Sequence, residues 1–429
     1  MKILIITYLF PPIWEAQSIR WYYIAKSLTY LGCSVDILTV NPFLEKRNID
    51  IKANIERIPP GLFEYFLFKF KRNLNLENEE SKTIRTKFFF KFLKKLYRLN
   101  RRIFENLFLG DIRIEWFLNF IFYYYKTLRH KVSYYDYIIC AHEPIVDILI
   151  ALFLKKLHPQ INLVVDIADP LTADYYPKFW KPVLQKIENT VLHKSDLVLV
   201  TNELIKKKYI EKYHVNPEKL IVITQGFDEK LIKDCYKQKR KNRNKTLNLF
   251  YAGSFYSSRD PKSLFKVLRY FPNIRFYYAG RNENYLPKDL LKQEKIIYLG
   301  VLSHEEVLNI AKSMDILVYI SNKNFYQTPG KIFEYLGLCK PILCIVYSDR
   351  DPIINLINDL KVGFIAQNKE EDIYKQLGKI INLWQMGKLD LTHNFNADKV
   401  KRFSWQFQTK KLLRFISNQG FVSKSHTKS

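Results

Sequence analysis

Glycine is scarce in this chain, with 13 among 429 residues, less than half of the ordinary share of about 7%. Long glycine-rich phosphate loops and low-complexity repeats are disfavoured on that ground. No GxGxxG follows the first apolar run. "FPPIWEAQ" (10–17) stands there instead, which argues against a dinucleotide oxidoreductase. The five cysteines are Cys33, Cys140, Cys235, Cys339 and Cys344. Their number is odd, none pairs as CxxC, and most lie in apolar runs. Zinc is not expected, and a reduced, cytosolic setting is. No uncharged apolar run approaches ~20 residues, so no membrane-spanning helix is expected. The opening "MKILIITYLFPP" is too short for a signal peptide, stops at Pro11-Pro12 and meets no small-residue cleavage site. It reads as a first buried strand.

Acidic residues are also short: 42 Asp+Glu face 69 Lys+Arg, a formal charge of +27. Such a balance points to nucleic acid, an anionic membrane surface or phosphorylated substrates. An AT-rich genome, with its Lys, Asn, Ile, Phe and Tyr codons, accounts for part of the same bias. Nucleic acid is the weakest of the three partners. The chain has no nucleic-acid reading motif, and its aromatics sit in core-like runs.

What is present is an alternation of strand and helix. "KILIITYLF" is an apolar run ended by a proline pair, "SIRWYYIAKSLTYLG" an amphipathic helix closed by Gly32, and "CSVDILTV" a second strand. This is a βαβ opening and predicts the α/β class. The pattern recurs through "YDYIICAHEP", "INLVVDIADP", "SDLVLVT" and "KLIVITQGF". After a polar, basic stretch around 234–246, a second series begins at "LNLFYAGS". Two parallel series predict two Rossmann-like halves with a cleft at the carboxyl ends of their strands.

One segment departs from the alternation. From Lys82 to Arg102 there are nine basic residues and no acidic one. Lys91, Lys94, Lys95, Arg98, Arg101 and Arg102 recur at helical spacing, with Phe92, Leu93, Leu96, Leu99 and Ile103 on another face. This pattern predicts a basic amphipathic helix. It suits an anionic bilayer, or equally a helix packed on the first half with a solvated basic face.

The candidate site residues lie just past predicted strands. In "TPGKIFEYL" (328–336), Pro329 and Gly330 start a helix whose free N–H groups would suit a diphosphate. Lys331 is misplaced there for helix stability but well placed for an anion. Glu334, three residues on, would accept hydrogen bonds from sugar hydroxyls. The same residues also read as a surface Lys–Glu pair worth a few tenths of a kcal/mol. In "YAGSFYSSRDPKSLFKVL", a strand ends at Gly253 and Ser254, and Arg259 precedes the next helix, where it would clamp phosphate oxygens; a surface Arg beside Asp260 is the plainer alternative. His142 in "CAHEP" and Asp169 in "VVDIADPLT" each follow a strand and would face an acceptor, or serve as a core His and a turn former. Glu15 and Arg20 lie around the first strand–helix loop, where Arg20 would point into the cleft or cap the surface.

The ordered set "YLFPP…SIRWYYIAKSLTYLG", "GDIRIEW", "VVDIADPLT", "ENTVLHKSDLVLVTNEL", "ITQGFDE", "YAGSFYSSRDP", "YLGVLSHEEV" and "TPGKIFEYLGLCKPIL" resembles the retaining, two-Rossmann GT-B glycosyltransferases of glycosyltransferase family 4. The resemblance runs from residue 2 to about 415. It implies an N-terminal acceptor-binding domain over 1–225 with a basic, aromatic insertion at about 60–130. It also implies a nucleotide-sugar domain over 226–400, a helix over 401–417 returning to the first domain, and a disordered tail over 418–429.

By the same resemblance Arg259 meets the donor diphosphate and Glu334 the donor ribose. Gly330 and Lys331 lie near sugar and phosphates, with Gly253 and Ser254 beside them. Val301 and Leu302 lie where the nucleobase is held. Asp169 is near the reacting centre, and Glu15, Arg20 and His142 are on the acceptor side. The chain departs from the family at Tyr326, where the first acid of E-x7-E belongs, at Ser254, a common arginine position, and at Glu15-Ala16, where a glycine pair is usual.

The implied reaction moves a sugar from a nucleotide diphosphate-sugar to an acceptor hydroxyl with retention. Arg259, Lys331 and the helix start would take the place of a metal, so neither metal nor other cofactor is expected. With the basic segment, a lipid-linked or glycan acceptor at the inner face of the cytoplasmic membrane is expected, in bacterial surface polysaccharide or lipopolysaccharide assembly. The alternatives are an inactive GT-B scaffold, suggested by Tyr326 and Ser254, and a nucleic-acid-binding protein, suggested by the charge.

Overall fold

A computed structural model describes residues 1–42, 49–65, 107, 109–173, 176–232, 246–323, 329–389 and 396–418. The stretch 82–102, the basic linker up to 245, Cys235, Tyr326 and the tail after Asn418 lie outside the described residues. The chain forms two compact units. The first comprises Met1–Thr224 and the chain from Thr409 on, the second Gln225–Gln408.

The first unit carries a seven-stranded sheet of β1 (Lys2–Ile6), β2 (Ser34–Val40), β3 (Asn54–Ile58), β4 (Tyr137–His142), β5 (Leu163–Ile167), β6 (Leu197–Val200) and β7 (Leu220–Val222). Its order is β3-β2-β1-β4-β5-β6-β7, and every pairing is parallel. Strands β4 to β7 are buried along their whole length. That burial is why they read as unbroken apolar runs rather than as alternating ones. Edge strand β3, "NIERI", is only partly buried, and its charges hide it from an apolar-run reading.

Helices cover the sheet. The first, Ala16–Tyr30, stops before Gly32, which sits at φ +85° with open space around it. This is a left-handed exit that glycine takes without strain. The helix Trp116–Lys126 packs Trp116, Phe120 and Tyr124 into the core. Trp116 meets Tyr8 edge-on at 5.2 Å, and Tyr124 meets Phe153 at 5.1 Å. The C-terminal helix, Trp405–Asn418, reaches this unit through its later turns. Lys411 Nζ donates to Val222 O at 2.8 Å.

The second unit repeats the plan with β8 (Leu247–Ala252), β9 (Ile274–Ala279), β10 (Ile296–Tyr298), β11 (Ile316–Ile320), β12 (Ile342–Val346) and β13 (Gly363–Gln367). The order is β10-β9-β8-β11-β12-β13, again all parallel. In both units the strand order reverses beside the first strand, between β1 and β4 and between β8 and β11. Open α/β sheets leave a crevice at that reversal, outside the carboxyl ends. The α/β expectation of two Rossmann-like sheets is met.

Candidate functional site

In the second unit the carboxyl edge is narrow by construction. Gly253 ends β8 at φ +143°, a conformation that disfavours a side chain. A Cβ on Gly280, at the end of β9, would lie 2.0 Å from the Gly253 carbonyl oxygen. The two backbones therefore approach as only glycine allows.

Beyond Gly253 the chain makes a tight turn. Arg259 N–H donates to Tyr256 O at 2.7 Å, so Arg259 is set by backbone and not by its side chain. Its guanidinium lies over the Tyr256 ring at 5.1 Å. Nη2 donates to Asn322 Oδ1 at 2.8 Å, while the buried Nε has no hydrogen-bond partner. Asn322 lies two residues past β11, so this bond spans the β8/β11 reversal. The loop is further held by Asp260 N–H on the Tyr347 hydroxyl (2.7 Å) and by Lys323 N–H on Ser258 O (2.9 Å). Lys323 adds an exposed cation over the Tyr347 ring at 5.7 Å. Beside Arg259, burial pushes the Tyr251 hydroxyl up to about 12, against the pull of the guanidinium.

The helix Lys331–Gly337 follows β11 and is only seven residues long, with no side-chain cap. Its first turn differs from the expected cradle of free N–H groups. Ile332 N–H donates to Pro329 O (3.3 Å) and Phe333 N–H to Gly330 O (3.1 Å). These i→i−3 bonds tighten the turn and consume donors that a plain helix start leaves open. The anion-attracting element is therefore chiefly Lys331 itself.

Glu334 is held on two sides. His304 Nε2 lies 2.7 Å from Oε1, and Lys331 Nζ lies 3.9 Å from Oε2. Burial works against its charge, but Lys331 and His304 outweigh it and hold the carboxyl below the usual range. His304 starts the helix His304–Ser313, whose entry is fixed by a Ser303–Glu306 capping box. The Ala252 N–H donates to the buried Tyr335 hydroxyl at 3.1 Å. That bond ties the helix of Lys331 and Glu334 to the end of β8, from which the Arg259 turn departs. Val301 is 65% exposed, and Leu302 rests partly on the core. Ser254 is half-buried beside Gly253.

The first unit places its candidates differently. Glu15 is exposed and precedes the first helix without capping it. Arg20 is wholly buried. Nε and Nη2 donate to the two Asp166 oxygens at 2.8 and 2.9 Å, Nη1 to Thr224 O at 2.8 Å and Nη2 to Ile223 O at 3.0 Å. Trp21 Nε1 donates to the same carboxylate at 2.9 Å. The expectation that Arg20 faces an acceptor is corrected by this arrangement. Its charge is spent on Asp166 inside the core, four of its five N–H donors are engaged there, and the side chain has no exposed surface.

His142 ends β4, also fully buried, with Nε2 3.2 Å from the Tyr176 hydroxyl. Burial lowers its pKa from 6.5 to about 4, against the pull of Glu188. It is therefore neutral at neutral pH. Near it, Asp111 receives Arg113 through two bonds of 2.7 and 2.8 Å, and Asp147 accepts the Tyr8 N–H at 3.0 Å. Asp169 lies two residues past β5, half-buried. Among the described residues no group of three or more His, Cys, Asp or Glu side chains could hold a metal ion.

The His142 burial has a sign that can be tested. Its folded pKa lies below the unfolded one, so its contribution is complete above about pH 6.5 and is lost as pH falls toward 4. Between pH 7 and pH 5 the loss is about 2 kcal/mol. Buried Asp147, raised well above its ordinary value by desolvation, works in the opposite direction. Urea unfolding of wild type against His142→Gln isolates the His142 part. Equal pH slopes for the two proteins would rule out a buried neutral His142.

Asn322, Lys323, His304 and Tyr335 escaped the sequence reading. Their partners are distant in sequence: Glu334 lies 30 positions from His304, and Ala252 lies 83 from Tyr335. Only the position of Asn322 and Lys323 just past an apolar strand could have flagged them.

Among solved structures, the chain is similar to sucrose-phosphate synthase from Thermosynechococcus elongatus. The TM-score is 0.65 at 13% identity, over 98% of this chain and 99% of that one. It is similar to a glycosyltransferase from Rickettsia africae (0.63, 14%, 99% of each chain). It is also similar to UDP-GlcNAc 2-epimerase from Neisseria meningitidis bound to UDP-GlcNAc (0.56, 12%, 97% and 100%). These likenesses show the two-Rossmann GT-B fold along the whole chain. No family model matches the chain, and no curated protein matches it in sequence.

Proposed function

We propose that this protein is a retaining glycosyltransferase of the family 4 kind, acting on a nucleotide diphosphate-sugar. The observation that carries the proposal is Arg259. It is fixed across the β8/β11 reversal by Asn322, in the turn that follows the carboxyl end of β8. A fork of donors at that position suits a diphosphate. Lys331 and Lys323 supply further positive charge on the same sheet edge. Glu334, held ionised, accepts hydroxyls of the donor ribose. The nucleotide sugar bound by the Neisseria meningitidis epimerase on the same fold supports this class of ligand.

In this reading the bond from the sugar to the diphosphate breaks first, leaving an oxocarbenium-like sugar. Arg259 and Lys331 stabilise the charge that develops on the leaving diphosphate. The acceptor hydroxyl forms the new bond on the same face, and its proton passes to a leaving phosphate oxygen. Asp169 is assigned to the acceptor side. The acceptor is a lipid-linked or glycan hydroxyl at the inner membrane face, in surface polysaccharide assembly; the excess of basic charge supports it.

A thermal-shift panel of nucleotides and nucleotide sugars tests the donor site. One nucleotide diphosphate should stabilise the wild type and lose that effect in Glu334→Ala. Stabilisation by none of the panel would sink the proposal. Product analysis with the stabilising sugar then separates transfer from epimerisation.

A further inference from the structure

The helix Trp116–Lys126 is apolar on two opposite sides. Trp116, Phe120 and Tyr124 face the core. Leu118, Phe122 and Tyr125, spaced i, i+4 and i+7, face outward with 63%, 74% and 51% of their surface exposed. A surface helix of a globular domain ordinarily shows one apolar stripe and turns polar residues to water. A second row of large apolar side chains marks a surface that meets something other than water.

The surrounding charge says what. Between Trp116 and Tyr135 there is no Asp or Glu. Lys126, Arg129, His130 and Lys131 are all exposed, and Tyr134 is 65% exposed. Arg129 Nε donates to the neighbouring His130 Nε2 at 2.9 Å. The acids on the flanks are engaged: Glu115, just before the helix, accepts the Phe63 N–H at 2.9 Å, Glu56 accepts from the Tyr123 hydroxyl, and Asp136 from the Lys2 N–H. An outward row of Leu, Phe and Tyr leading into a basic, aromatic rim matches the boundary of an anionic bilayer. The apolar groups sink to the acyl edge, and the cations meet lipid phosphates. A two-fold contact between copies through this face would instead bring basic rims together.

We propose that the outer face of helix Trp116–Lys126, with Lys126, Arg129 and Lys131, docks this protein on an anionic lipid surface. This deepens the membrane part of the functional reading by naming the contact. The test is flotation of the full chain with phosphatidylcholine vesicles, with and without phosphatidylglycerol, and with no nucleotide present. The wild type should float with the phosphatidylglycerol vesicles only. Leu118→Ser/Phe122→Ser should lower the bound fraction about tenfold or more, as should Lys126→Gln/Arg129→Gln/Lys131→Gln. These side chains are exposed, so circular dichroism and thermal unfolding should match wild type.

Absence of flotation, or flotation unchanged by the Leu118/Phe122 variant, overturns the proposal. So does a dimer, seen by sedimentation, that the same variant dissolves without altering flotation. Because no nucleotide is used, a negative flotation result leaves the donor-site panel standing. Loss of nucleotide stabilisation with flotation intact strikes the transferase reading alone.

Discussion

Arg259→Ala should lower kcat/KM for the stabilising nucleotide sugar about 10²- to 10³-fold, the range for removing one preorganised donor to developing charge. The turn itself should survive, because Arg259 is positioned by its backbone bonds to Tyr256, while its side chain reaches Asn322 and the Tyr256 ring. Arg259→Lys keeps the charge but loses the planar fork, so it should recover only part of the loss. The effect should fall on kcat more than on KM, since the charge to be stabilised grows as the diphosphate departs. Steady-state kinetics for the three proteins settle the matter. Equal kcat/KM in wild type and Arg259→Ala would remove Arg259 from the reaction.

Arg20→Ala should cost about 3–5 kcal/mol of stability, because it strands the Asp166 carboxylate in the core with only Trp21 as a donor. For a unit of this size that is a fall in Tm of roughly 6–20 °C. The cause is the uncompensated charge and not the lost attraction, and the double variant Arg20→Met/Asp166→Leu separates the two. It should recover most of the stability, since a well-packed apolar pair often replaces a buried ion pair at little cost. Urea unfolding of the three proteins measures this. A cost below about 1 kcal/mol for Arg20→Ala would mean that the pair is not sealed from water as its zero exposure indicates.

The same Arg20 shows where the sequence stops being legible. The parallel sheets were readable because their strands are buried on both faces, as in "YIICAH" and "ILCIV", and apolar runs are local signals. Arg20 sits on an amphipathic helix that also carries Lys26, and a charge there reads as a cleft or surface residue. Its partner Asp166 is 146 positions away, so no local pattern announces the pair. Glu334 was readable as a candidate from its spacing to Lys331. The contact with His304, 30 positions earlier, that also holds it ionised was not. Nor was the tightened first turn at Pro329, since i→i−3 bonding depends on backbone angles that the residues there permit but do not demand.

The bond from Ala252 N–H to the Tyr335 hydroxyl has a consequence for how a ligand would be met. It joins the end of β8 to the helix of Lys331 and Glu334, while Asn322, Lys323 and Tyr347 hold the Arg259 turn to the neighbouring strand ends. The groups assigned to the donor thus belong to one braced scaffold before anything binds. An anion arriving there forfeits little motion of the protein, so more of each contact survives as affinity.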